Sequence, residues 1–300
     1  YNFKKWFLNI LNNSFTEPSS SFMAGLLLGS RKGIPKRVME DFGVTGLTHI
    51  IAISGYNITL LIVVATFLFG FLSRKFQVIC ASLLIVVFTI LVGASAACVR
   101  ASCMGIISLL ALYSGRKSDL DLVLLFAAFL MALWNPKILI FDVGFQLSFL
   151  ATMGLVYFSP ILMEVSWFKK MPKFFGIRES FVLTISAQLT TLPLILYNFE
   201  RFSVVAPIAN VLVLPLIPIS MFFGFFVVVF AKIFKPISIL LSYFAYFFLD
   251  LIVKIARVFA ALPFASYEID WFSVPFLILY YLLLAIFFFN FYVSRSRIPK

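Results

Sequence analysis

Charge is scarce in this chain. Asp, Glu, Lys and Arg make up 12% of its 300 residues, about half the share usual in soluble domains. Hydrophobic residues reach 63% and the mean hydropathy is +1.08. So few polar side chains cannot clothe a water-facing surface, which excludes a soluble globular fold. Histidine occurs once, and a single His excludes a His-rich metal centre. Cysteine occurs three times, at Cys80, Cys98 and Cys103, all in apolar segments. An odd count without CxxC spacing indicates neither a disulfide framework nor a metal site. Acidic residues are the scarcer sign, 12 against 24 basic, for a net charge of +12. In a soluble domain that excess would suggest nucleic acid, but in a membrane protein the positive-inside rule accounts for it. The chain opens at Tyr1 without the n-region, h-region and cleavage site of a signal peptide. We expect it to be a piece cut from something longer.

Long apolar runs are abundant. Crossing the hydrocarbon core as a helix takes about 20 apolar residues. Runs approaching or meeting that length lie near 47–72, 76–95, 98–114, 120–135, 143–163, 180–197, 204–231, 237–262 and 272–293. The expected fold is all-α, a polytopic transmembrane helical bundle of about nine spans with some short or broken helices. Run 98–114 is short and carries Arg100, and Pro207, Pro215 and Pro218 interrupt 204–231. Each reads as a re-entrant or broken helix, which is tolerated where protein or water covers the freed backbone. No fixed-period repeat or long linker is visible.

Alternating the nine runs across the membrane sorts the loops by charge. One side collects Arg74, Lys75, Arg116, Lys117, Lys169, Lys170, Lys173, Arg178, Lys232, Lys235, Arg295, Arg297 and Lys300. Short loops on the other side hold only Lys137 and Arg201, with Glu268 and Asp270. The asymmetry predicts a cytoplasmic C-terminus and places residues 1–46 outside. Within that stretch Trp6, Phe7, Ile10 and Leu11 recur at helical spacing beside Lys4 and Lys5, while Phe22 to Gly29 is too short to cross. Both read as helices lying on the membrane surface. The expected division is an amphipathic extracytoplasmic interfacial segment over 1–46 and a transmembrane domain over 47–300. The basic loop around 166–180 reads as solvated, or as a contact for anionic lipid headgroups.

Ionisable and amide side chains inside spans are functional candidates by default, because hydrocarbon makes them costly. They are His49, Asn57, Arg100, Gln146, Gln188, Asn210, Asp250, Lys254 and Arg257. Asp250, Lys254 and Arg257 share one helix face by their spacing. They read as a self-neutralising pair beside a snorkelling Arg, or as the basic wall of a polar pathway. Ser180, Thr184, Gln188 and Thr191 form a polar stripe; Gly144, Ser148 and Thr152, and Gly93, Ala97, Ala101 and Gly105, form small-residue stripes that suit close helix packing. Arg100 has no acid within a helical turn. It reads as half of a long-range ion pair, with Asp142 as the acid, or as an Arg on a conduction path offering its guanidinium to phosphate. His49 and Ser54 could formally belong to a nucleophilic set, but no GxSxG elbow or suitably placed acid accompanies them. The sequence therefore nominates no catalytic residue, metal ligand or cofactor.

Several motifs follow one another in order. They are Phe22-Met-Ala-Gly-Leu-Leu-Leu-Gly-Ser-Arg-Lys-Gly33, Gly46-Leu-Thr-His-Ile-Ile-Ala-Ile-Ser-Gly55, Val99-Arg-Ala101 and Asp142-Val-Gly-Phe-Gln-Leu-Ser-Phe149. Ala151, Gly154-Leu155, Ala187-Gln-Leu189, Thr191-Leu-Pro193, Phe202-Ser203, Ala209-Asn210 and Leu214-Pro215 continue the series. From about residue 22 to 218 the chain resembles the competence domain of ComEC-type DNA-uptake proteins. The resemblance implies a non-enzymatic channel passing single-stranded DNA across the bacterial cytoplasmic membrane during natural transformation. It implies as partners single-stranded DNA, membrane lipid, a DNA receptor, a cytoplasmic helicase and a separate metal-dependent nuclease domain, and leaves the oligomeric state open.

Motif and span residues together give the candidate set His49, Ser54, Gly55, Asn57, Arg100, Asp142, Gln146, Ser148, Gln188, Asn210, Lys254 and Arg257. The family pattern usually has a His where this chain has Asn57, so a hydrogen bond can survive there but a proton transfer cannot. Fuller members carry a soluble N-terminal domain and a C-terminal metallo-β-lactamase-like domain, neither of which fits this sequence. A single strand needs positive charge along its phosphates and aromatic faces for its bases. The 39 Phe, 11 Tyr and 4 Trp do not decide the matter, because most must face lipid or core. A small-solute or ion-coupled permease, with broken helices and midplane polar residues, would look similar; an intramembrane hydrolase around His49 and Ser54 is the other alternative.

Overall fold

The computed structural model describes residues 2–30, 32–51, 55–115, 119–171 and 176–296, and these are helical almost throughout. The helices are α1 (Asn2–Ser14), α2 (Ser19–Leu28), α3 (Lys36–Val44), α4 (Thr48–Ile51), α5 (Gly55–Leu68), α6 (Arg74–Val92), α7 (Ala96–Tyr113), α8 (Leu120–Trp134), α9 (Ile138–Phe141) and α10 (Val143–Met153). A π-helical turn, Gly154–Phe158, joins α10 to α11 (Ser159–Glu164). There follow α12 (Ser166–Lys169), α13 (Ile177–Phe199), strand β1 (Arg201–Ser203), α14 (Ala206–Val213), α15 (Leu216–Ile233), α16 (Lys235–Ala260), strand β2 (Ser266–Glu268) and α17 (Val274–Ser296). The two strands pair antiparallel, Phe202 opposite Tyr267.

Seven of these units are long and apolar enough to cross a membrane: α6, α7, the continuous stretch Val143–Glu164, α13, α15, α16 and α17. The chain is a multi-pass, all-α membrane protein. Runs 47–72 and 120–135 give shorter apolar helices, α5 and α8. Run 204–231 breaks at Leu214-Pro215 into α14 and α15, as its prolines predict. Run 98–114, expected to be short or re-entrant, is instead an unbroken 18-residue helix. Ser102 explains how α7 carries polar groups without breaking, since its hydroxyl meets Thr89 of α6 at 2.6 Å and needs no other partner.

The segment 22–29 departs from expectation. It does not lie on a surface: every residue of α2 from Ser19 to Leu28 is buried, within a core shared with α1, α3, α15 and α16. The physical reason is visible in its composition, because a helix that is apolar all round has no face to offer water. Even its three serines turn inward, Ser20 to Asn12 and Ser21 to Glu17, each at 2.7 Å. Ten residues span only about 15 Å, half the hydrocarbon thickness. The end of α2 therefore falls inside the bundle and must be satisfied there. Gly29, at φ 64°, turns the chain so that its N–H and that of Ser30 return to Gly25 O and Ala24 O, and Asn57 Nδ2 donates to Leu26 O at 3.1 Å.

The Lys232 ammonium lies 5.4 Å from the Trp6 ring, so α1 sits at the Lys232–Lys235 end of α15 and α16. The 26 residues of α16 run about 39 Å from the Lys232–Lys235 end to the β1–β2 end. At that second end Gly43 of α3 approaches Arg201, with room for only 3.6 Å between an added Cβ and Nη1. Residues 1–46 thus run from one end of the bundle to the other.

Candidate functional site

Arg100 sits in the second turn of α7, half-buried, and its side chain runs toward α5 and α10. Its Nε donates to Ser148 Oγ at 2.6 Å, Nη1 lies 3.3 Å from Met104 Sδ, and the guanidinium carbon stands 5.8 Å from the centre of the Phe149 ring. Nη2 faces Gly55, where a Cβ would stand 3.8 Å away. The same Cβ would stand 3.6 Å from Ala101, an ordinary van der Waals contact between α5 and α7. Each of these neighbours is neutral. Arg100 takes part in neither the Arg201–Glu268 nor the Asp250–Lys254 ion pair.

The acid expected to compensate Arg100 is engaged elsewhere. Asp142 caps α10, its Oδ1 accepting from Phe145 N at 2.9 Å. A Cβ on Gly144 would come within 3.0 Å of that same oxygen, so the glycine makes room for the cap. Gln146 Nε2 donates to Leu139 O and Ile140 O, both at 2.9 Å, and so ties α9 to α10. The stretch 142–149 therefore has two jobs. Its first half builds a corner, and Ser148 and Phe149 in its second half hold Arg100.

Other candidates stand apart from this junction. Asn57 is buried and spends its amide on α2, a hydrogen-bonding role that asparagine can fill. His49 is exposed, with Nδ1 3.1 Å from Gly46 O. Ser54 lies outside the described residues. Gln188 donates to Ser203 O at 3.3 Å across from β1, while Thr184 and Thr191 of its stripe bond carbonyls of their own helix. Asn210 is buried in α14, its Oδ1 without a partner among the described residues. Lys254 pairs with Asp250 at 2.6 Å on the outer face of α16, and Arg257 is exposed beside it.

Three residues absent from the candidate set, Pro193, Tyr280 and Tyr281, matter as much. Pro193 lies inside α13 and cannot donate to Leu189 O, so that carbonyl is orphaned in the span. Tyr280 of α17 donates its hydroxyl to Leu189 O at 2.8 Å, and Tyr281 donates to Thr190 O at 3.0 Å. The proline signals a carbonyl in need, but only the tertiary arrangement names the donor. Beside this kink, Gly154 opens the π-helical turn against α13, where a Cβ would collide with Ser186 O and Thr190 Oγ1. Thr190 Oγ1 closes the contact by donating to Leu150 O at 2.8 Å.

Residues 26–293 match the family model described as competence protein. The chain belongs to the competence protein family. Within it, the chain is 26% identical over 215 residues to "ComE operon protein 3" of Bacillus subtilis (strain 168), a match covering 71% of this chain and 26% of that protein. The chain thus spans about a quarter of the length of this curated relative. No solved structure matches. Gly55 and Ser148, far apart in sequence, both lie beside Arg100.

Proposed function

We propose that this competence-family chain passes single-stranded DNA across the bacterial cytoplasmic membrane during natural transformation, conducting the strand without cutting it. The observation that carries the reading is the family match over residues 26–293. The junction of Gly55, Arg100 and Ser148 supports it, since a positive group held among neutral partners suits a passing polyanion. A DNA receptor, a cytoplasmic helicase and a separate metal-dependent nuclease domain are the partners this function calls for. Deleting the gene in a transformable host should leave DNA bound at the cell surface but still open to added nuclease. Unimpaired entry of labelled DNA into the nuclease-protected fraction would refute the reading. Metal-dependent, mutation-sensitive cleavage by the purified chain would refute the conducting-only part.

For orientation, we propose that the Lys232–Lys235 end and the C-terminus are cytoplasmic, with residues 47–300 forming the channel body. Trp6 then belongs to the cytoplasmic end and α3 to the outer end. In a background lacking the native cysteines, an impermeant thiol reagent added to cells should label Glu40→Cys but neither Asn9→Cys nor Lys235→Cys. Labelling of Asn9→Cys and Glu40→Cys from one side would overturn this arrangement.

A further inference from the structure

Arg100 carries more hydrogen-bonding capacity than its surroundings use. A guanidinium has five N–H donors in a fixed plane and cannot give up its charge by deprotonation. Here Nε is committed to Ser148 and one N–H of Nη1 faces the Met104 thioether, a weak acceptor. The remaining three donors meet no acceptor among the described residues. Snorkelling does not describe this side chain. Its partners lie on α5, on α10 and, at Met104, one turn farther from the nearer end of α7. Ser148 holds one edge of the guanidinium, and Gly55 presents no side chain to Nη2, where a Cβ would stand 3.8 Å away. The Nη2 edge of the plane thus meets a glycine rather than a side chain.

We infer that Arg100, oriented by Ser148 beside Gly55, binds a phosphodiester oxyanion within the membrane. A planar pair of N–H groups matches two oxygens of one phosphate, which a lysine at this place could not do. Ser148 acts as a positioning residue, and Gly55 admits the ligand. The passing strand as the source of the phosphodiester rests on the function proposed above; a lipid headgroup offers the same chemistry.

The test uses the full chain in phosphatidylcholine nanodiscs and three variants, Arg100→Gln, Gly55→Ala and Ser148→Ala. A 20-residue oligothymidylate is titrated over a range of salt concentrations, beside the same oligomer with an uncharged methylphosphonate backbone. Dimethyl phosphate serves as a phosphodiester without base or strand, read by thermal stabilisation. One lost phosphate contact makes the slope of log Kobs against log[salt] shallower by about 0.7 for a single strand. That change is expected in Arg100→Gln and in Gly55→Ala, and the methylphosphonate oligomer should bind both as it binds the unaltered chain. Ser148→Ala should keep the slope but bind more weakly, because the charge stays while its plane is released.

Gly55→Ala protects the test against misfolding, since its Cβ meets only ordinary van der Waals contacts. Should the unaltered chain bind no oligomer, stabilisation by dimethyl phosphate that vanishes in Arg100→Gln and Gly55→Ala would still support the site and would remove the strand. Native mass spectrometry showing one phospholipid fewer on those two variants would then support the headgroup as its source. Folded variants with unchanged slope, unchanged dimethyl phosphate response and unchanged lipid count would overturn the proposal.

Discussion

Arg100 and Lys254 are both cations in the spans of one bundle, and the structure treats them in opposite ways. Lys254 is exposed on α16, paired one turn away with Asp250, its own helix supplying the counter-charge. Arg100 has no acid beside it and turns inward onto a hydroxyl, a thioether and a ring. The first arrangement completes itself and asks nothing of the rest of the fold. The second is held by residues 45 or more positions away on either side, at Gly55 and Ser148. An i,i+4 partner on a helix face leaves a charge spent, whereas a charge oriented by neutral groups keeps its field for something else.

The largest expected effect comes from trying to make Arg100 resemble Lys254. Exchanging the charges with Arg100→Asp and Asp142→Arg would restore abundance and uptake if the two were an ion pair. The structure predicts failure of both. A carboxylate within a span costs up to about 2.5–3.5 kcal/mol on insertion scales, the value reached at the centre. Loss of the α10 cap adds about 1 kcal/mol. Quantitative immunoblotting of membranes beside transformation frequency checks this, and joint recovery would break the comparison.

Next in size is Gly154→Ala, in the π-helical turn that follows α10. The added methyl meets backbone at Ser186, which cannot swing away, so overpacking should cost about 1–3 kcal/mol. A melting temperature in detergent equal to that of the unaltered chain would show that α10 and α13 can part without loss. Tyr280→Phe should cost less, about 0.6–2 kcal/mol, the range for hydrogen bonds between membrane helices. The cost should disappear when Pro193→Ala is added, because alanine restores an N–H for Leu189 O. A cost that persists would assign Tyr280 to packing alone.

The smallest effect belongs to α16. Replacing both partners, Asp250→Asn with Lys254→Gln, should change transformation by no more than about twofold, since exposed ion pairs contribute little. A large fall in uptake at normal abundance would place this pair on the conduction path after all and bring the two regions together.

The contrast also marks how far each region can be read in advance. The α16 trio is local, and spacing alone puts Asp250 against Lys254. The corner at 142–146 is local too, although a cap and a long-range partner for Arg100 look alike in one dimension, so Asp142 can stand for either. Arg100 was recognisable as costly, but its holders lie on other helices, and nothing near it in the chain names them. Tyr280 and Tyr281 are two aromatics in an apolar run, and only the packing of α17 on α13 brings their hydroxyls to Leu189 O and Thr190 O. The helix α2 was misread because shortness was taken as the mark of a surface helix, when its lack of any polar face already pointed inward.

Composition, run lengths and proline placement by themselves determined a multi-pass helical protein, most of its spans and the break before α15. Those features follow from the one-dimensional requirement that each crossing be apolar and satisfy its own backbone. Tertiary structure alone decided that α2 ends inside the bundle, that Trp6 meets Lys232 and that Arg100 faces Ser148 rather than Asp142. In a bilayer every span is apolar on all sides, so the hydrophobic pattern cannot say which face looks inward. That choice falls to close packing of small residues and to scattered hydrogen bonds, whose partners come from distant parts of the chain.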